Sequence, residues 1–158
     1  TRRLVADYRD MGQYDVWRQV ASVVPVNDFR SNERTRYGGY GDLPGVHAVC
    51  LTEQAGIEGF RRDFCATLEA ASINADGVLV LCDMQSGTPW NVACEVAFNQ
   101  HTHPPVAVVA GVNFPMLLQT DEVMMARDVH HAAAQIIQLT LPTLVQAKQI
   151  DSEPTDDF

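Results

Sequence analysis

What this 158-residue chain has little of narrows its function first. Basic residues are scarce: 11 Lys and Arg against 20 Asp and Glu leave a formal charge of −9. Such an acidic surface repels nucleic acid and anionic headgroups, which argues against either as the main partner. No Cys-x-x-Cys pair occurs among Cys50, Cys65, Cys82 and Cys94, so zinc-knuckle and thioredoxin-type motifs are set aside. All four thiols stand in apolar stretches and read as small packed hydrophobes. No apolar run approaches the roughly 20 residues that span a bilayer. No secretory leader is seen, so a cytoplasmic location is the expectation. There is no internal repeat. Gly38, Gly39 and Gly41 do not stand between a strand and a helix, so they form no nucleotide-binding loop.

What is present is a globular composition, 46% hydrophobic and 20% charged, enough to bury a core. The expected organisation is one domain over 1–150, with a long loop over 25–45 and an acidic flexible tail over 151–158. A short apolar run in Arg2–Asp10 reads as a first strand. Tyr14, Trp17, Val20, Ala21 and Val24 recur at three- and four-residue spacing and predict a helix that Pro25 ends. Pro25–Gly45 has no period and carries Arg30, Arg34 and Arg36, as a solvated insertion or an anion contact would. Val46–Leu51 reads as a strand. Ile57, Phe60, Phe64, Leu68 and Ala71 mark one face of an amphipathic helix to Ser72. Gly77–Asp83 and Pro105–Gly111 are continuous apolar strands. Helices follow each of these, and a last one from Val129 would bend or be interrupted at Pro142. This alternation predicts an α/β fold, an open and mainly parallel sheet doubly wound by helices on both faces. Ligands in such folds gather at the carboxyl ends of the strands.

The stretch Leu81–Ala97, LCDMQSGTPWNVACEVA, lies at such an end. Asp83 would close a buried strand with its carboxylate in a crevice, where it can accept from an imidazole N–H and fix the ring. Thr88-Pro89 reads as an N-cap followed by proline at the first helical position. The amides of that helix start suit a phosphate. Two readings stay open on chemistry alone: a phosphohistidine site, or a turn and a cap with no further role.

The segment GVLVLCDMQSGTPWNVACEVA resembles the middle of enzyme IIA domains of the mannose-type phosphoenolpyruvate-dependent sugar phosphotransferase system. A second segment, VAVVAGVNFPMLLQT, is similar to that family's strand leading into Gly-Val-Asn-x-Pro-Met-Leu. The resemblance covers Val46 to Val129 well and the rest loosely. It implies a phosphoryl relay from a histidine-containing phosphocarrier protein to a IIB component during carbohydrate uptake. Asp83 would orient the acceptor, and Thr88 with its neighbouring amides would hold the phosphoryl group. Ser86, Gly87, Asn91, Gly111 and Asn113 would shape the crevice. The resemblance implies a homodimer, no metal or small cofactor, and a membrane reached only through transporter partners.

One departure matters. The family's first strand ends in an acceptor histidine, and the corresponding stretch here, RRLVADYRDMGQ, contains none. By position, Tyr8, Arg9 or Asp10 takes the acceptor's place, with Arg9 the first choice. A guanidinium is always charged and cannot serve as the nucleophile, although it can hold a phosphate. His47, His101 and His103 are expected away from the crevice. His130 and His131 are expected on a late helix, one facing solvent and one the core. His101-Thr-His103 lacks a third ligand for a metal. The alternative function is a non-phosphorylatable IIA-like binding or regulatory module.

Overall fold

The computed structural model describes residues 19–26 and 45–150. The strand expected at Arg2–Asp10, Arg9 itself, most of the 25–45 loop and the 151–158 tail lie outside the described residues.

Four strands form one open sheet in the order β2-β1-β3-β4. They are β1 (Val20–Val26), β2 (His47–Cys50), β3 (Gly77–Cys82) and β4 (Val106–Ala110). The helices are α1 (Gly56–Ser72), α2 (Thr88–Ala97), α3 (Phe114–Leu118), α4 (Thr120–Val123) and α5 (Val129–Thr140). The expected α/β class, open sheet and two-sided helical cover are all seen. The sheet is mixed, however, rather than mainly parallel. β3 and β4 are parallel, whereas β1 runs antiparallel to both of its neighbours.

β1 also corrects the helix expected through Val20, Ala21 and Val24. All but one of its residues are buried. With apolar side chains needed on both faces, the run has no two-residue alternation, and its valines match helical spacing by chance. The valine-rich composition is what favours a strand. Pro25 lies inside β1 instead of ending a helix. The carbonyls of Val20 and Val26 accept from the amides of Asp83 and Asp76 at 3.3 and 3.1 Å. Alternation therefore turns the nitrogen of Pro25 toward the β2 side. There the pairing stops at Val23–His47, so the missing N–H removes no ladder bond.

The core lies on both faces of the sheet. On one face Phe60, Phe64, Leu68 and Ala71 of α1 and Val92 and Ala93 of α2 cover Ala21, Val23, Val78 and Val80. On the other, Met116, Val123, Val129, Ala132 and Ile136 cover Val24, Val26, Leu79 and Leu81. The apolar stripe read for α1 holds except at its first member, since Ile57 is 53% exposed. Gly59 takes its place in the buried set. Exposed Arg61 and Glu95 join α1 to α2 by an ion pair, and that bond and charge hold the Arg61 guanidinium above its ordinary value. The helix expected over Phe114–Met125 is broken at Gln119 into α3 and α4. The last helix is interrupted at Pro142 as expected, α5 giving way to a 3-10 turn over Leu141–Thr143.

Cys82 is buried, Cys94 is half-buried, and Cys50 and Cys65 are exposed. Packing as small hydrophobes thus describes Cys82 and not the two exposed thiols. Met116 and Met124 are core residues, while Met84 and Met125 are exposed.

Phe64 is fully buried and its ring stacks on Phe60 at a centroid distance of 5.9 Å. Phe64→Ala is expected to destabilise the fold by about 3–5 kcal/mol, the range for emptying an aromatic core site, measured by urea unfolding. A loss under about 1 kcal/mol would contradict this packing.

Candidate functional site

The carboxyl ends of β3 and β4 converge at one pole of the sheet, and the start of β1 joins them because that strand is reversed. Six apolar residues of β3 are buried before the chain reaches Asp83. The turn that follows reverses direction sharply: Ser86 takes φ +65°, a left-handed conformation uncommon for a side chain larger than glycine. Gly87 then caps α2 with extended backbone. This corrects the expected cap. Thr88 is the first helical residue and Pro89 the second, and no side chain of the turn itself caps the helix. Proline fits there because its absent N–H would have no intrahelical acceptor.

The helix start is nonetheless capped from a distance. Gln19, the residue before β1, accepts the Thr88 N–H through Oε1 at 3.2 Å. Its own carbonyl accepts the Leu51 N–H at 2.8 Å, which pins the residue between β2 and α2. Gly87 makes the approach feasible, because a Cβ there would come within 3.2 Å of Gln19 Oε1 and 3.1 Å of Met84 Cγ. Sequence reading missed Gln19. Its contact is 69 residues away along the chain, and no local motif announces it.

Asp83 is partly buried, and its Oδ1 is the buried side-chain polar atom without a hydrogen-bond partner among the described residues. Leaving such an acceptor unmade costs about 1–3 kcal/mol, so the atom is ready to take a donor. The adjacent Cys82 thiol is pushed up to about 12, first by burial and then by the Asp83 charge. Burial raises the Cys94 thiol as well.

The remaining expected residues fall around this pole. Asn91 is exposed on the first turns of α2, its amide bonded to the Gly87 carbonyl at 2.9 Å. Gly111 follows β4 with φ +91°, which favours glycine. Asn113 caps α3, its Oδ1 accepting the Met116 N–H at 2.9 Å, so its side-chain oxygen is committed to the fold. Trp90 is half-buried against the core beneath the turn. Ser86 is exposed and Gly87 buried.

No histidine stands here. His47 opens β2 level with Val23 and hence with Val80. Three strand residues and two strand spacings separate it from Asp83, roughly 10 Å in each direction. His101 and His103 occupy the loop before β4, at the opposite pole. His130 and His131 lie on the first turn of α5, where Val129 packs against Gly77 at the start of β3. Both are exposed, so neither faces the core as one was expected to. The Asp128 carboxyl caps that turn by accepting the His131 N–H at 2.8 Å, which holds it below the usual carboxylate range. Among the described residues no three His, Cys, Asp or Glu side chains gather as a metal site would require. No helix there is long and apolar enough to cross a membrane.

Comparison with known proteins identifies the family. Residues 40–147 match the family described as the PTS system fructose IIA component, and the chain belongs to that family. It is 24% identical over 121 residues to the sorbose-specific EIIA component of Lacticaseibacillus casei, covering 75% of this chain and 84% of that protein. It is 29% identical over 111 residues to the mannose-specific EIIAB component of Escherichia coli (strain K12), covering 70% of this chain but 29% of that longer protein. No solved structure matches. The family match begins at residue 40, so Arg9, Gln19 and β1 lie outside it, whereas Asp83 through Asn113 lie within.

Two outcomes are expected. Gln19→Ala frees the Thr88 amide and should lower stability by about 0.5–1.5 kcal/mol, one hydrogen bond's worth, in urea unfolding. Native labelling with iodoacetamide at pH 8 should modify the exposed Cys50 and Cys65, while buried Cys82, whose thiol is pushed up to about 12, stays unmodified until unfolding. Peptide mass mapping reads both sites. Equal labelling of Cys82 and Cys65 would contradict the burial.

Proposed function

We propose that this chain serves a sugar phosphotransferase system as its IIA-type component. It relays phosphoryl groups from the histidine-containing phosphocarrier protein to a IIB component during carbohydrate uptake. The observation that carries this reading is the pole where an unpartnered Asp83 oxygen adjoins the start of α2, within the segment matched by the family. Asp83 would orient the group that receives the phosphoryl. The α2 amides and the Thr88 hydroxyl would hold its oxygens. Because Gln19 occupies the Thr88 amide, an arriving phosphoryl oxygen would have to displace it. Arg9 would add a counter-charge, and Ser86, Gly87, Asn91, Gly111 and Asn113 would shape the crevice.

A specific observation favours a second reading, a non-phosphorylatable IIA-like binding or regulatory module. The chain has five histidines, and each lies away from Asp83. In that case the crevice binds partners or an anion without transferring phosphate. Under either reading the location is cytoplasmic and the protein works as a homodimer. Exposed Phe114, Leu118, Met125, Ile137, Leu141 and Leu144, on or after the helices of one face, support self-association.

The discriminating experiment is phosphoryl transfer. The protein is incubated with phosphoenolpyruvate, enzyme I and the phosphocarrier protein, and intact mass is read under mildly alkaline conditions. The relay predicts a gain of one phosphoryl group that Asp83→Ala abolishes. No gain, with a control IIA protein modified in the same tube, leaves the binding module.

A further inference from the structure

The pole opposite Asp83 carries a groove of about 570 Å³ between the ends of α1 and α2 and the loop before β4. It is an open depression on the surface rather than an enclosed cavity. The function proposed above makes no use of it.

Its chemistry is one-sided. Glu69, on the last turns of α1, lines it, and no Lys or Arg does. Among the described residues no basic side chain pairs with Glu69. Both bordering helices direct their carboxyl ends toward it, and neither has a basic residue in its last turn. Helix carboxyl ends carry partial negative charge and favour cations. The two lining hydroxyls are spent as donors. Ser72 Oγ donates to the Leu68 carbonyl at 2.6 Å, and Thr102 Oγ1 donates to the Val96 carbonyl at 2.7 Å. A hydroxyl has one proton, so each retains only lone pairs for a ligand. His101 and His103 line it as well, and each neutral imidazole carries one acceptor nitrogen and one N–H donor. Leu68, Val96 and Val106 give the groove an apolar wall. It therefore offers mainly acceptors and hydrocarbon, and it lacks a Lys or Arg donor for an anion.

We infer that this groove binds a small organic cation of the alkylammonium class. The nitrogen is taken by Glu69 and the hydroxyl oxygens of Ser72 and Thr102, and the aliphatic part by the apolar wall. A free amine and a lysine side chain share this head group.

Amide chemical-shift titration of the full chain tests the inference, with n-hexylammonium, n-hexanol and n-hexanoate as probes. Saturable shifts confined to 65–75 and 96–106 are expected with hexylammonium, weaker ones with hexanol and none with hexanoate. Glu69→Gln, a surface change that leaves the core intact, should weaken hexylammonium binding about two- to fivefold, the span of an exposed ion pair. Nα-acetyl-lysine amide separates the sources. Shifts matching hexylammonium assign the groove to a partner's lysine, and their absence assigns it to a free amine. Hexanoate binding as well as hexylammonium, shifts lying elsewhere, no saturable shift, or an unchanged affinity in Glu69→Gln would each overturn the inference.

Discussion

The two-sided burial of β3 is the constraint on which the rest of the structure depends. All six of its residues are buried, with Leu79 and Leu81 on one face and Val78 and Val80 on the other. A strand covered on both faces cannot hold a polar side chain without a partner. The first polar residue must come where the cover stops, which is Asp83. The turn, the helix start and the crevice follow from that position. β1 and β4 flank β3, so its edges are paired as well.

This constraint also decides what was legible in the sequence. β3, β4 and α1 were read near their true bounds, because an unbroken apolar run and a three-and-four-residue stripe are local signals. The Asp83 turn was legible for the same reason. β1 was not, since Ser22 and Pro25 interrupt its apolar run and its valines fall at helical spacing. The capping of α2 was misread by one residue: Thr88 is a good capping type, but the backbone of Gly87 takes the extended conformation. Gln19 was illegible because its role is purely tertiary. Gln19 and β1 also precede the family-matched segment, so resemblance gave no guidance there.

The two poles are chemically opposed. At one, helix α2 begins and presents amide donors beside a carboxylate. At the other, α1 and α2 end and present acceptors. Helices α1 and α2 generate this polarity, because each runs antiparallel to β3; α5 is the exception, since its first turn lies beside Gly77 at the start of that strand. The imidazoles at the acceptor pole are a sheet's length from the amides that would hold a phosphoryl group. The Asp83 pole therefore gathers a carboxylate and the start of α2 without an imidazole, while the imidazoles of His101, His103, His130 and His131 lie at the opposite pole.

The reversal of β1 has a consequence for how the molecule assembles. β3, α2 and β4 are contiguous, so their parallel pair closes over a short span of chain. β1 joins β3 with Ala21 opposite Cys82, a pairing between distant parts of the sequence, and it alone connects β2 to the rest of the sheet. Long closures lose more chain entropy before any contact compensates. Gln19 sits at the head of β1, so the cap on α2, and with it the mouth of the crevice, depends on the longest-range strand pairing in the described sheet.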